Sequence, residues 1–206
     1  MAKVKRNKII VAGIIAGIIL AVPLSLAIIR WKSENRGVVI NNWRVSMRTG
    51  NFGSNYLLRA AVAVHSLGNP VPEEAMFFHG FFDCEGKKLN GRYRYRLRFP
   101  AGGMPPVDAF WSLTVYDRDG WLVPNPIDRY SLSDRTSGLV YNSDKSLDIF
   151  IQHEAPPHRS SNWLPTPKGE FTISLRTYLP KKELLELKWA IPPIERLDAA
   201  RGGGEQ

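Results

Sequence analysis

The longest uninterrupted apolar run opens the chain: Ile9 to Ile29 reads IIVAGIIAGIILAVPLSLAII and carries no charge. A helix of that length reaches about 30 Å, the thickness of a bilayer's hydrocarbon core, so the run predicts a transmembrane helix. The competing reading is a cleaved signal peptide, for which Ser25-Leu26-Ala27 offers a small-x-small site; its apolar region usually runs only about 7–15 residues. Gly13 and Gly17 form a small-x-x-x-small pair of the kind that seats a neighbouring helix. Trp31 and Trp43 then flank a polar stretch, and residues 30–50 read as a juxtamembrane linker with Trp31 in the interfacial aromatic belt. From Ser54 to Leu67 the period becomes helical. Leu57, Ala60, Ala61, Val64 and Leu67 share one face, and Gly68 and Pro70 stop the helix. Its Ala-rich face predicts close packing against the domain that follows.

From Ala75 onward the period is two. AMFFHGFFD predicts a strand with close packing or a bulge at Gly80, and EGKKLNG, with its Asn90-Gly91 pair, predicts a hairpin loop. RYRYRLRF alternates throughout, with Tyr93, Tyr95, Leu97 and Phe99 on one face and Arg92, Arg94, Arg96 and Arg98 on the other. That basic face reads either as a solvated edge strand whose charges discourage edge pairing or as a ribbon facing anionic lipid or a partner. FWSLTVY is a strand leading into a DRDG turn. SGLVY turns at Asn142-Ser143-Asp144 into LDIFIQ, and GEFTISLRTY is the last clear strand. Pro180 starts a short helix, KKELLELK. About seven short strands between two helices predict a mainly β, antiparallel two-sheet sandwich. The expected organisation is a basic tail at 1–8, a transmembrane helix at 9–29, a linker at 30–50, a β domain at 51–197 and a frayed tail at 198–206.

The words FWSLTVYDRDGWLVPNPIDRYSLSDR at Phe110 to Arg135, IQH at Ile151 to His153 and NWLPTPKGEF at Asn162 to Phe171 carry a resemblance. They resemble the C-terminal region of the bacterial "domain of unknown function 1214" family, and weaker words (GSNYLLRAAVAVHSLG, AMFFHG, PPVDAFW) extend the likeness back to about Gly53. The resemblance covers roughly Asn51 to Leu197. It implies a jelly-roll-like antiparallel domain, sometimes found beside a second domain of unknown function, and it implies no activity.

Composition agrees with a loop-rich β protein, with 15 Pro, 17 Gly, six Trp and 11% aromatic residues in 206. Cys84 is the one cysteine, which excludes an internal disulfide framework and any cysteine-based zinc site. The net charge of +9 is uneven. Residues 1–30 hold five of the 28 basic residues and none of the 19 acidic ones, leaving a mildly basic remainder of 23 against 19. Nucleic acid is not an expected partner, since no recognition motif for it is present. Lys3, Lys5, Arg6 and Lys8 precede the apolar run, while Arg30, Lys32 and Arg36 follow it beside Glu34. The short basic N-terminus favours an N-in, single-pass topology in the inner membrane, with the C-terminal domain in the periplasm.

Candidate chemistry is sparse. Asp117-x-Asp119-Gly120 resembles the start of a calcium loop, but the later ligands are missing, so it reads as a capped turn. His65, His79, His153 and His158 supply no set of three or four converging metal ligands, and neither metal nor cofactor is expected. No nucleophile elbow, phosphate loop or zinc-protease helix occurs. The constellation that stands out is Asn125, Asp128, Arg129, Tyr130, Asp134, Arg135, Gln152, His153, Asn162 and Trp163, on loops where strands end. A flat ring beside amide, carboxylate and guanidinium groups suits recognition of a sugar or small acid. The plainer reading makes Arg129–Asp134 a structural ion pair and Trp163 a filler of the core. Two function classes follow. One is a membrane-anchored envelope domain that binds a partner or serves as accessory subunit of a membrane complex. The other is a hydrolase-like or carbohydrate-active enzyme using the Arg129 and His153 loops.

Overall fold

The fold is given by a computed structural model, which describes residues 2–35, 37–65 and 68–197. By contact the chain divides into two units, Met1–Arg36 with Thr49–Asn69 and Gly37–Arg48 with Pro70–Gln206. The first unit is helical. Helix α1 (Ala2–Glu34) contains the whole apolar run, with Pro23 inside it. Within its stretch Asn7–Glu34 an 18-residue window reaches a mean hydropathy of 2.7, and the helix is long and apolar enough to cross a membrane, as a signal sequence would also be. Side chains are exposed from Asn7 to Ile28.

Helix α2 (Tyr56–His65) starts where Asn55 Oδ1 accepts from the Leu58 amide at 2.9 Å, an N-cap that satisfies one orphan donor. It packs on α1. The expected helix ran from Ser54 to Leu67; Ser66 and Leu67 lie outside the described residues. The buried face also differs. Leu58, Ala61 and Val62 are buried, whereas Leu57 and Val64, assigned to that face by spacing, are exposed. Every position of this helix from Tyr56 to Val64 except Arg59 is apolar or aromatic, so periodicity alone had two faces to choose between. The helix groups with α1 in one unit rather than with the β domain.

Among the described residues the second unit holds ten strands in two sheets. Strands β1 (Val38–Ile40), β2 (Trp43–Val45), β3 (Ala75–Gly80), β9 (Phe171–Pro180), β5 (Val107–Asp117) and β6 (Ser131–Ser133) form a six-stranded sheet in that order. Strands β10 (Ile194–Leu197), β4 (Arg94–Phe99), β7 (Leu147–Gln152) and β8 (Trp163–Pro165) form the second. The inner faces meet in a sandwich. Tyr95, Leu97, Phe99, Ile149 and Ile151 of the smaller sheet and Trp43, Trp111, Leu113, Ile173 and Leu175 of the larger are all at most 2% exposed. Ring pairs bridge the layers, Tyr95–Phe171 at 5.7 Å and Phe99–Trp111 at 5.3 Å. Each such side chain withdraws enough apolar surface to contribute about 1.5–3 kcal/mol.

Several sequence expectations change in detail. The segment expected as a linker contains the β1–β2 hairpin, whose Asn41 and Asn42 both take positive φ (48° and 64°). Two left-handed residues between paired strands make a type I′ turn, and Trp43 goes to the core at 0% exposed. The segment after β3 makes no hairpin with β4: Asn90-Gly91 is a true turn, closed by Tyr93 N–H to Asn90 O at 3.0 Å, but it leads from one sheet to the other. SGLVY forms no strand; the turn after it feeds β7. The pair β7–β8 is parallel in an otherwise antiparallel unit. The four-residue helix α3 (Lys182–Leu185) and strand β10 close the described residues, the latter without any period-2 signal of its own.

Two glycines explain their own positions. At Gly80 an added Cβ would sit 2.7 Å from Ile194 Cδ1 and 2.8 Å from Ile173 Cγ2, so the expected close approach is real and joins β3 to the core. At Gly91 an added Cβ would collide with the backbone carbonyl of Pro167. Gly91→Ala is therefore expected to cost about 3 kcal/mol or more, because backbone gives way less readily than a side-chain tip. Thermal unfolding of the variant in detergent checks this. A loss below about 1 kcal/mol would mean that the 167–169 segment shifts freely.

Candidate functional site

The two loops singled out in the sequence do meet, through Arg129. Its Nη1 donates to three backbone carbonyls, Ser160 O at 2.7 Å, Ser161 O at 3.1 Å and Trp163 O at 2.9 Å. These belong to the 3-10 turn Ser160–Asn162 and the start of β8; Ser160 O also accepts from the Trp163 amide, so Arg129 adds a second donor there. The expected Arg129–Asp134 ion pair is not formed. Asp134 Oδ1 instead accepts from the Trp111 amide at 3.3 Å, and Arg135 lies over the Phe110 ring at 4.3 Å. Asn125 folds its own loop, with Oδ1 accepting from the Arg129 amide at 2.9 Å and Nδ2 donating to Arg129 O at 3.0 Å. That places Asp128 at φ 48°, with Tyr130 Oη reaching its carboxylate at 3.4 Å.

Across the seam, Asn162 is fully buried. It donates from Nδ2 to Val140 O (2.7 Å) and Asp148 O (2.9 Å) and accepts at Oδ1 from the Val140 amide (2.8 Å). One side-chain amide thus replaces the strand partner that residue 140 lacks. Trp163, 4% exposed, donates its indole N–H to Gln152 O at 2.8 Å, and Gln152 Nε2 donates to Glu154 O at 2.8 Å. His153 Nδ1 lies 2.8 Å from Thr166 O, a carbonyl that can only accept, so Nδ1 is the donor. The polar groups are therefore brought together, but most of them point at backbone. The side chains that do not point at backbone are Asp128 and Tyr130, which bond each other at 3.4 Å.

Arg129→Ala is expected to lose about 1–2 kcal/mol of stability, since three carbonyls lose a charge-assisted donor at a partly exposed site. Arg129→Lys should lose less, as one ammonium replaces part of the fan. Thermal unfolding of the two variants reads this order. Equal stability of wild type and both variants would contradict a structural role.

Elsewhere the chemistry is equally inward. Asp117 Oδ1 accepts from the amides of Asp119 and Trp121, both at 2.9 Å, and Gly120 takes φ 88°, which is the capped turn read from the sequence. Among the described residues no three His, Cys, Asp or Glu side chains come together as a metal site would require. The arginine face is not on an edge, because β4 lies between β10 and β7. Arg96 pairs with Glu195 at 2.6 Å, and Arg98 pairs with Asp144 at 2.8 Å and Asp148 at 3.3 Å. Arg92 and Arg94 are exposed at its end. Hydrogen bonds from the Ser146 hydroxyl and amide, then the Arg98 charge, hold the Asp144 carboxyl below its ordinary range. Residues that the sequence reading passed over are apolar: Trp121 (73% exposed), Leu122, Ile127, Val140 and Tyr141 are all exposed on the loops that lead to Arg129 and Asn162. Their signal in the sequence is aromatic and aliphatic residues inside Pro- and Gly-rich loops, where core packing does not call for them.

Comparison with known proteins fits this picture of a fold without a declared chemistry. No curated protein matches the chain. Among solved structures, the VPA0106 protein from Vibrio parahaemolyticus is similar at a TM-score of 0.61 with 23% identity, over 84% of this chain and 42% of that one. The likeness is one of fold, and the chain spans less than half of that relative's length. An uncharacterized protein from Burkholderia cenocepacia matches at a TM-score of 0.40 and 18% identity, over 68% of this chain and 34% of that one, below the level at which a shared fold is asserted. The model of the family described as "Protein of unknown function (DUF1214)" matches residues 74–182, from β3 to the start of α3. The words at 110–135, 151–153 and 162–171 fall inside that span, and this chain belongs to the DUF1214 family.

Proposed function

We propose that this protein is a membrane-anchored interaction module of the bacterial envelope, an accessory subunit whose sandwich unit meets a protein partner. The observation that carries the reading is α1: a helix with an 18-residue window of mean hydropathy 2.7, whose side chains from Asn7 to Ile28 are exposed among the described residues. In water such a surface is untenable; in a bilayer it is matched. The basic residues before it favour an N-in, single-pass arrangement in the inner membrane with the sandwich unit in the periplasm. The loops pinned by Arg129 and Asn162 expose Trp121, Ile127, Val140 and Tyr141, and aromatic side chains on stiff loops are the residues from which protein interfaces draw most of their energy.

The enzyme reading, with Arg129 and His153 as its working groups, is less well supported, because both side chains are committed to backbone carbonyls. Gentle solubilisation followed by mass spectrometry of the co-purifying proteins separates the two. A stoichiometric partner that is lost on Trp121→Ala with Tyr141→Ala supports the module. Unchanged capture by that variant, or turnover by the purified protein, contradicts it.

A further inference from the structure

Helix α2 has two apolar faces and only one of them is used. At about 100° per residue, Leu58, Ala61 and Val62 fall together and are buried. Tyr56, Leu57, Ala60, Ala63 and Val64 fall together on the other side, within an arc of about 120°. There Tyr56 is 75% exposed, Leu57 41% and Val64 45%. Arg59 is the one charged residue from Tyr56 to Val64, at the border between the faces. A two-and-a-half-turn helix with an unshielded apolar arc of that width is out of place in water.

Where α2 sits along α1 says what covers that arc. The side chains of α1 are exposed from Asn7 to Ile28; the shielded ones beyond are Ile29, Lys32 and Ser33, an i, i+3, i+4 stripe. α2 packs on α1, so its contact lies at the C-terminal end of the apolar span, at the level of Trp31, itself 63% exposed. A tryptophan just past the apolar run marks the headgroup level.

We infer that α2 is an interfacial helix that lies in the headgroup–acyl boundary beside α1, with Tyr56, Leu57 and Val64 inserted towards lipid. The partner is the bilayer itself. The helix braces the membrane span through Leu58, Ala61 and Val62 and anchors the boundary through its opposite face, as amphipathic helices do when their apolar side has no protein to meet. Arg59, at the border, is placed to reach phosphates, with Tyr56 as the amphipathic ring at the same level. This rests on the reading of α1 as a membrane span, and the experiment is arranged so that the two stand or fall separately.

The full chain is prepared with Cys84→Ser and one reporter cysteine at a time: Leu57→Cys, Val64→Cys, Ile18→Cys within the span and Arg118→Cys on the sandwich unit. Each is labelled with an environment-sensitive fluorophore and reconstituted in phosphatidylcholine vesicles carrying a nitroxide at acyl carbon 5 or 12. The expected result is quenching of 57 and 64 by the shallow nitroxide about threefold or more above that of 118, with 18 quenched best by the deep one. Quenching at 18 without quenching at 57 and 64 overturns the interfacial helix alone. No quenching at 18 removes the membrane span and the interfacial helix with it. If 57 and 64 become shielded as protein density rises, regardless of nitroxide, a second protein surface covers the arc and the inference fails.

Discussion

Asp83→Ala should unfold at a temperature roughly 10–15 °C below wild type, the size expected when one member of a buried ion pair is removed at a cost of about 3–5 kcal/mol. Asp83 is 0% exposed and follows β3. Its Oδ1 accepts from the amides of Glu85 (3.0 Å) and Lys87 (2.9 Å), which shapes the turn that carries the chain out of the larger sheet. Its Oδ2 lies 2.7 Å from Arg196 Nη2 on β10, an approach that is close but off the donor axis, so it acts as a charge contact more than an aligned hydrogen bond. Arg196 in turn lies over the Tyr93 ring at 4.0 Å, and its Nε is buried without a partner. Removing the carboxylate strands this guanidinium with no counter-charge and strips two amides of their acceptor. Asp83→Asn keeps the acceptor for the turn and should cost less. Asp83→Asn with Arg196→Met should cost less than the sum of the two changes, since the stranded charge is then gone. Thermal unfolding in detergent measures all four, and a loss below about 1 kcal/mol for Asp83→Ala would show that β10 is not held by this pair.

Asn162→Ala is the second large effect, expected at about 3 kcal/mol. The side chain is 0% exposed and satisfies three backbone groups, of which Asp148 O is deepest. Alanine leaves that carbonyl without its donor and lets the segment around Val140 detach from β7 and the 3-10 turn. Asn162→Asp should be at least as damaging, because a carboxylate cannot donate to Val140 O or Asp148 O and brings a charge into a fully buried position. Hydrogen exchange localises the effect. Faster exchange at Val140 with β5 and β9 unchanged is the expected pattern, whereas uniform acceleration across both sheets would mean that Asn162 is a general core residue.

These two residues also show what the sequence made legible. Strands β4 and β9 alternate because each lays one face on the core, and β5 and β7 are longer apolar-rich runs bounded by turn residues. Strands β1, β2, β6, β8 and β10 are three or four residues long, too short for a period to register. For β1 and β2 the signal is instead the Asn41-Asn42 pair, which marks a I′ turn between VVI and WRV. Asp83–Arg196 and Asn162–Val140 are contacts between distant segments, which no local pattern encodes. At the candidate site, Arg129 of one loop reaches carbonyls of the other, but Asn, Arg and Trp in Pro-rich loops look the same in sequence whether they face a ligand or their own backbone. For α2, an Ala-rich helix with apolar residues on both sides gave the right element and the wrong buried face.

The claim on which the functional reading most depends is that α1 crosses a membrane and delivers the sandwich unit to the far side. Paired C-terminal fusions to alkaline phosphatase and to a fluorescent protein that matures only in the cytoplasm test it directly in a bacterial host. Active phosphatase with a dark fluorescent fusion, both remaining with the membrane fraction, is the predicted result. A fluorescent fusion with inactive phosphatase would place the sandwich unit in the cytoplasm and contradict the account.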